Sequence, residues 1–132
     1  MVTIHPQTLF LLAETFAICR LEKGATPPQW VQNASFFSIT GTADELSLVC
    51  RAESVPTDIQ ADWGWRCFKL QGPFPFSLTG ILNSVTVPLA QADIGIFAVS
   101  TYNTDYVLVK EHALQQALSV LTEAGHTIHL NP

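Results

Sequence analysis

Three cysteines and four histidines are the residues of this chain best suited to bind a metal ion or to act as a nucleophile and its base. The cysteines lack the C-x-x-C spacing of zinc and redox sites, and each lies in an apolar, strand-like segment (Cys19, Cys50, Cys67). We therefore predict reduced, buried thiols in a cytoplasmic protein, with a zinc or redox site as the alternative. His126 and His129 are three residues apart in a predicted strand, so they point to opposite faces and not to a common metal ion.

The remaining candidates for catalysis are equally isolated along the sequence. His112 lies at a predicted helix start, His5 lies in the N-terminal tail, and neither Cys19 nor Cys50 has a base near it in the sequence. We predict a protein that is not an enzyme and that needs no metal or cofactor. The alternative is a catalytic group of residues that are distant in sequence and meet only in the fold.

Composition limits the partners of the chain. Its 132 residues are 48% hydrophobic and 13% charged, which indicates one ordered domain or two small ones. The net charge is −5, and the six basic residues are scattered, which disfavours nucleic acids and anionic membranes as partners. No apolar run approaches the roughly 20 residues of a membrane span, and the first residues lack the basic start of a signal peptide.

The first half of the chain is predicted to consist mainly of strands. Residues 9–21 form a long strand with alternating apolar positions, and Gly24, Pro27 and Pro28 then interrupt the pattern. Two short strands, residues 36–40 and 45–52, flank the turn at residues 41–44 and form a hairpin. A further strand is predicted over residues 63–71.

The second half adds two amphipathic helices. One begins at Thr79, with Pro88 inside it, and the other follows Glu111 and ends at Gly125. A hairpin of residues 94–100 and 105–110 lies between the helices, and residues 126–130 form a last strand. This β-α-β-β-α-β order predicts an α+β, ferredoxin-like fold with both helices on one face of an antiparallel sheet.

A weak internal repeat joins the two halves. At an offset of 60 residues, residues 37–49 match residues 97–109 at several apolar and acidic positions. We therefore predict two tandem ferredoxin-like units, of which the first is degenerate because it lacks most of a crossover helix.

The segment Ser-Thr-Tyr-Asn-Thr-Asp-Tyr at residues 100–106 resembles the signature hairpin of small stand-alone ACT-domain proteins, a tandem family related to the CASTOR-type arginine sensors. The similarity extends to residues 78–82, 88–94 and 16–21, and so covers most of the chain. It implies two ACT-like units, residues 1–62 and residues 63–132. It also implies a regulatory or sensor function through a small ligand, typically an amino acid.

The resemblance implies a ligand site at Thr79, Gly80, Thr101, Tyr102, Asn103, Thr104 and Asp105. The helix start at Thr79 and Gly80 would receive a carboxylate, because backbone N–H groups are unpaired there. Asn103 and Asp105 would hold an ammonium group, with Tyr102 and Thr104 as walls. The stretch before Gly80 contains no acidic residue, which favours a neutral or apolar ligand side chain over arginine.

Two structural interpretations stay open beside this site. Thr79 or Ser77 is an ordinary helix cap, and Asn103 and Asp105 are ordinary turn residues. The corresponding alternative function is a ligand-free interaction module that forms a homodimer through its sheet edges.

Overall fold

The computed structural model describes residues 3–75 and 79–131, and within them the elements follow the predicted order. The strands are β1 (Thr8–Glu22), β2 (Ser38–Gly41), β3 (Glu45–Arg51), β4 (Ala61–Leu70), β5 (Ile96–Ser100), β6 (Asp105–Lys110) and β7 (Thr127–Asn131). The α-helices are α1 (Ile81–Gln91) and α2 (Leu114–Glu123), and short 3-10 helices span Gln29–Gln32, Ala52–Ser54 and Glu111–Ala113.

Contacts divide the chain into two compact units. The N-terminal unit is Glu14–Trp65, and the C-terminal unit combines Met1–Ala13 with Arg66–Pro132. The sequence-based boundary at residues 62 and 63 assigns the first thirteen residues to the other unit. The difference arises because β1 and β4 are long strands, and each contains a unit boundary.

The C-terminal unit has the β4-α1-β5-β6-α2-β7 order of the ferredoxin-like fold, as the sequence predicts. Alternate residues of its strands join the inner faces of both helices in one core, which confirms that the helices share a face of the sheet. This core contains Leu9, Leu11, Phe68, Leu70, Val85, Leu89, Ile94, Val107, Val109, Leu114, Ala117 and Leu121.

Strand β1 gives this sheet a feature that the sequence pattern does not predict. Residues Thr8 to Leu12 pair in parallel with β7, and β1 is also a neighbour of β4, so the strand order is β7-β1-β4-β6-β5. Residues 8–12 are therefore part of the sheet of the C-terminal unit.

The N-terminal unit is smaller and, in its described residues, contains strands and 3-10 helices but no α-helix. Its strands pair in the order β2-β3-β1, and β1 pairs with β3 from Phe16 to Glu22. The core of this unit consists of Ala17, Cys19, Val31, Leu46, Leu48, Cys50 and Val55. The hairpin is as expected. That this first unit is a degenerate copy of the ferredoxin-like unit stays a prediction.

Helix α1 begins two residues later than the predicted start at Thr79. Gly80 adopts a left-handed conformation with φ of 81°, so the helical backbone begins at Ile81. Helix α2 is also shorter than predicted, because residues Glu111–Ala113 form a 3-10 turn before it. It ends as expected: Gly125 has φ of 104°, and the His126 N–H donates to Leu121 O at 3.1 Å.

The three cysteines are free thiols and are buried, as the sequence predicts. Cys19, Cys50 and Cys67 are at most 1% exposed. Among the described residues, no helix is long and apolar enough to cross a membrane.

Candidate functional site

A cleft of about 310 Å³ opens in the C-terminal unit beside the start of α1. Three segments line it: residues 80–83 at the helix start, residues 100–105 at the β5–β6 turn, and Phe74 with Pro75. Six of the seven predicted site residues, all except Thr79, therefore lie around one cavity. Thr79 is exposed, and it is not among the described residues that line the cleft.

The turn between β5 and β6 is closed by the hydroxyl and amide of one threonine. The Thr101 N–H and its Oγ1 both donate to Thr104 O, at 2.8 and 3.0 Å, and the Thr104 N–H donates to Thr101 Oγ1 at 3.4 Å. These bonds occupy the Thr101 hydroxyl within the turn. The Thr101 hydroxyl therefore shapes the turn that lines the cleft.

The segment after β4 is held tightly against this turn. Buried Thr104 donates its hydroxyl to Leu70 O at 2.7 Å, and the Phe74 N–H donates to Asn103 O at 2.9 Å. Between these bonds, a Cβ on Gly72 would lie only 2.7 Å from Asn103 O, so this close approach requires glycine. Phe74 and Pro75 reach the cleft through this contact.

Asp105 provides the only charged side chain among the described residues that line the cleft. It pairs with Ser100 at the end of the β5–β6 ladder, and Ser100 Oγ donates to one of its carboxylate oxygens. The bond fixes one oxygen and leaves the carboxylate able to accept further hydrogen bonds. The electrostatics of the cleft therefore favour a cationic group near Asp105.

The start of α1 supplies the opposite polarity. Gly80 is the N-cap residue, and among the described residues no side chain makes a capping hydrogen bond to the first turn. The N–H groups of residues 81–83 have no intrahelical partner by geometry, and Gly80 has no side chain to cover them. Thr79 is therefore not the helix cap that the structural interpretation expects, and Ser77 lies outside the described residues.

The exposed tip of the turn consists of Tyr102 and Asn103. Tyr102 is 81% exposed, so it forms the rim of the cleft and not a buried wall. Asn103 is also exposed, and its backbone carbonyl is the part that holds Phe74.

Six residues of the described lining were not predicted as site residues: Phe74, Pro75, Ile81, Leu82, Asn83 and Ser100. Ser100 had a detectable signal, because it faces Asp105 across a hairpin whose strand limits the sequence indicates. Asn83 lies in the first turn of a predicted helix, where polar residues are common. Nothing local marks Phe74 and Pro75, which reach the cleft through bonds to residues about 30 positions away.

The other reactive groups form no comparable site. Among the described residues, no three His, Cys, Asp or Glu side chains are grouped as metal ligands. Cys19 Sγ and Cys50 Sγ are 4.0 Å apart, and their hydrogen bond lowers the pKa of Cys19 and raises that of Cys50. Both thiols are buried in the core of the N-terminal unit, so this contact contributes to packing.

Family models match both units. The model of the ACT domain matches residues 60–123, and a second model, described only as an N-terminal domain, matches residues 14–58. The chain is 28% identical over 134 residues to the human protein named cytosolic arginine sensor for mTORC1 subunit 1. That match covers 91% of this chain and 41% of the relative, so the chain spans about two fifths of its length.

Solved structures also resemble this chain. A crystal structure of a protein from Agrobacterium tumefaciens is 42% identical, with a TM-score of 0.91 and coverage of 97% of this chain and 96% of that chain. The ligand-free regulatory subunit of aspartate kinase from Thermus thermophilus has a TM-score of 0.60 at 9% identity, covering 84% of this chain and 93% of that chain. The second likeness concerns the fold alone.

Proposed function

We propose, from the match of residues 60–123 to the ACT-domain family model, that this chain is a non-catalytic regulatory protein that binds a small amino acid in the cleft. The human relative is named as a cytosolic arginine sensor. We extend to this chain the general role of amino-acid sensing and the cytoplasmic location.

The observation that supports this proposal best is the pairing of two opposite polarities across one cleft. Asp105 is suited to an ammonium group, and the first N–H groups of α1, which no described side chain caps, are suited to a carboxylate. An α-amino acid has both groups on one carbon atom. A volume of about 310 Å³ is near the lower end of the range of small-molecule sites, which suits a ligand of this size.

The rest of the lining indicates the class of ligand side chain. Phe74, Pro75, Ile81 and Leu82 are apolar, and the described lining has no second carboxylate to pair with a guanidinium. We propose a neutral, apolar side chain in preference to arginine. The described lining contains no His, Cys or Lys side chain.

A thermal-shift screen against the twenty L-amino acids tests this proposal. An amino acid present at about 100 times its Kd should stabilise the protein by about 2.7 kcal/mol and raise Tm by several degrees. Asp105→Asn should weaken its affinity by about tenfold or more, because a charge-assisted hydrogen bond is lost.

The matched control is Asp44→Asn, which removes one negative charge from the exposed β2–β3 turn. This variant should bind like the wild type. Equal loss of affinity in both variants would show a general charge effect, and undiminished binding by Asp105→Asn would place the amino acid elsewhere.

A ligand-free interaction module is the second candidate, and strand β5 is the observation that favours it. It is the terminal strand of its sheet order, and its five residues contain neither a charge nor proline, which are common protections of an edge. If no amino acid changes Tm and sedimentation shows a concentration-dependent dimer that Ala98→Pro disrupts, this candidate replaces the sensor.

A further inference from the structure

Proline 88 leaves a gap in the hydrogen bonding of α1 that a distant residue fills. In an α-helix the N–H of residue 88 would donate to the carbonyl of residue 84, but proline has no N–H. Here His126 Nε2 lies 2.7 Å from Ser84 O. Both Ser84 and Pro88 are buried. His126 therefore supplies a donor to a carbonyl that has no helical partner and lies away from water.

The surrounding bonds determine which nitrogen of His126 carries the proton. The Gln7 N–H donates to His126 Nδ1 at 3.0 Å, so Nδ1 must be the acceptor. Nε2 therefore has the hydrogen and donates it to Ser84 O. Gln7 is itself fixed, because its carbonyl accepts from the Thr127 N–H at 2.9 Å.

Ser84 connects the His126 contact to the start of the helix at Gly80. Its Oγ accepts from the His5 N–H and donates to Gly80 O, each at 2.8 Å, and its own N–H donates to Gly80 O at 3.0 Å. The His5 ring lies beside Gly80, 3.6 Å from the position that a Cβ would occupy. Gly80 is the residue at which the cleft meets the helix.

We propose that Ser84 and His126 are positioning residues of the cleft. They fix the first turn of α1 through Gly80, and so hold the N–H groups of residues 81–83 in the direction of the cleft. The effect on ligand affinity rests on the proposed function, whereas the effect on the helix start does not. A fixed first turn lowers the cost of ordering when a ligand binds, which is how residues outside direct contact raise affinity.

A double-mutant cycle with Pro88 tests the central contact. His126→Leu removes the donor to Ser84 O, and we expect amide hydrogen exchange at Ser84 to become about tenfold faster. Adding Pro88→Ala supplies the missing backbone N–H and should restore most of that protection. The amide of Leu108, in the core strand β6, reports any general loss of stability in the same sample.

Two further variants separate positioning from ordinary destabilisation. His126→Gln retains a donor and an acceptor and should keep both the Ser84 protection and the amide chemical shifts of residues 80–83. His129→Leu is the matched control, because it replaces an exposed histidine of β7 and should leave both readouts unchanged. If His126→Leu cannot be purified in a folded form, Ser84→Ala tests the same chain of bonds.

The affinity readout uses L-leucine, an amino acid of the proposed class. His126→Leu should weaken L-leucine binding by about three- to tenfold, and Pro88→Ala should recover it in the double variant. If wild-type protein binds none of the twenty amino acids, the proposed function fails while exchange still tests the positioning role. The positioning role would be overturned if each variant accelerated exchange at Ser84 and Leu108 by the same factor. It would also be overturned if Pro88→Ala restored none of the Ser84 protection in the double variant.

Discussion

The two hairpins of this chain close with the same turn and differ in what surrounds it. In the β2–β3 turn, the Thr42 N–H and Oγ1 donate to Glu45 O at 2.9 and 3.3 Å, and the Glu45 N–H donates to Thr42 Oγ1 at 3.1 Å. The Thr101 turn makes the same three bonds with Thr104. Geometrically equivalent residues are therefore 59 positions apart and not the 60 that matching of residue types indicates.

Only the second of these turns is part of the cleft beside α1. Thr104 is buried and donates its hydroxyl to Leu70 at the end of β4, whereas Glu45 occupies the equivalent position with a partly exposed side chain. The start of α1 faces the Thr101 turn across the cleft, and the described residues of the N-terminal unit contain no α-helix. The comparison shows that the local turn chemistry forms a hairpin, and that a neighbouring helix and a packed segment make it one wall of the cleft.

Substitution of Gly72 should show the largest difference between the two hairpins in stability and in amino-acid binding. Gly72→Ala places a Cβ 2.7 Å from Asn103 O, so the segment after β4 must move away from the Thr101 turn. We expect a loss of about 1–3 kcal/mol in the free energy of unfolding, with loss of amino-acid binding, measured by urea denaturation and titration.

Two alanine substitutions provide the comparison for Gly72. In Gly41→Ala, beside the Thr42 turn, the new Cβ meets only Leu46 Cδ1 at 3.8 Å, and at Gly95 it meets nothing within 4 Å. Both variants should have near wild-type stability. A wild-type result for Gly72→Ala would contradict the close packing that distinguishes the second hairpin.

Removal of the equivalent threonine hydroxyls should have a smaller and more informative effect. Thr42→Ala and Thr101→Ala each delete the two hydroxyl bonds that the turns share, and Thr42→Ala also removes the acceptor of the Asp44 N–H. Each should lower the free energy of unfolding by about 0.5–1.5 kcal/mol. Only Thr101→Ala should also weaken amino-acid binding in calorimetric titration, because only its turn lines the cleft. Equal amino-acid affinities in the two variants would show that the Thr101 turn does not contribute to binding.

The smallest effect concerns Tyr106, which follows the Thr101 turn at the position that Ser47 has after the Thr42 turn. Burial, with a smaller contribution from Cys67, raises the pKa of Tyr106 above its ordinary value. The folded state thus favours the neutral phenol, so the stability it contributes is present below about pH 10 and is lost as pH rises through the folded pKa. Denaturation midpoints across the alkaline range should fall less steeply in Tyr106→Phe, and parallel curves would contradict this.

The sequence predicts those elements whose signals are local. The β6 limits match the prediction at both ends, and Gly125 ends α2 as expected, because apolar alternation and a glycine stop act within a few residues. The prediction was less accurate at α1, where Thr79 was expected to be helical and Gly80 instead precedes the helix. The place of residues 8–12 between β7 and β4 was not predicted, because a parallel pairing across most of the chain has no local signal.

Pro88 shows most clearly where the information in the sequence ends. The sequence by itself determines that a proline in α1 removes one hydrogen bond, since that loss follows from the chemistry of the residue. Only the tertiary structure decides that His126 replaces the missing donor and that Gln7 selects its tautomer. The same holds for the cleft, whose turn and helix start are each indicated by local residue types. Their approach depends on Gly72, Thr104 and the packing of a core, and packing is a property of distant residues that meet only when the chain folds.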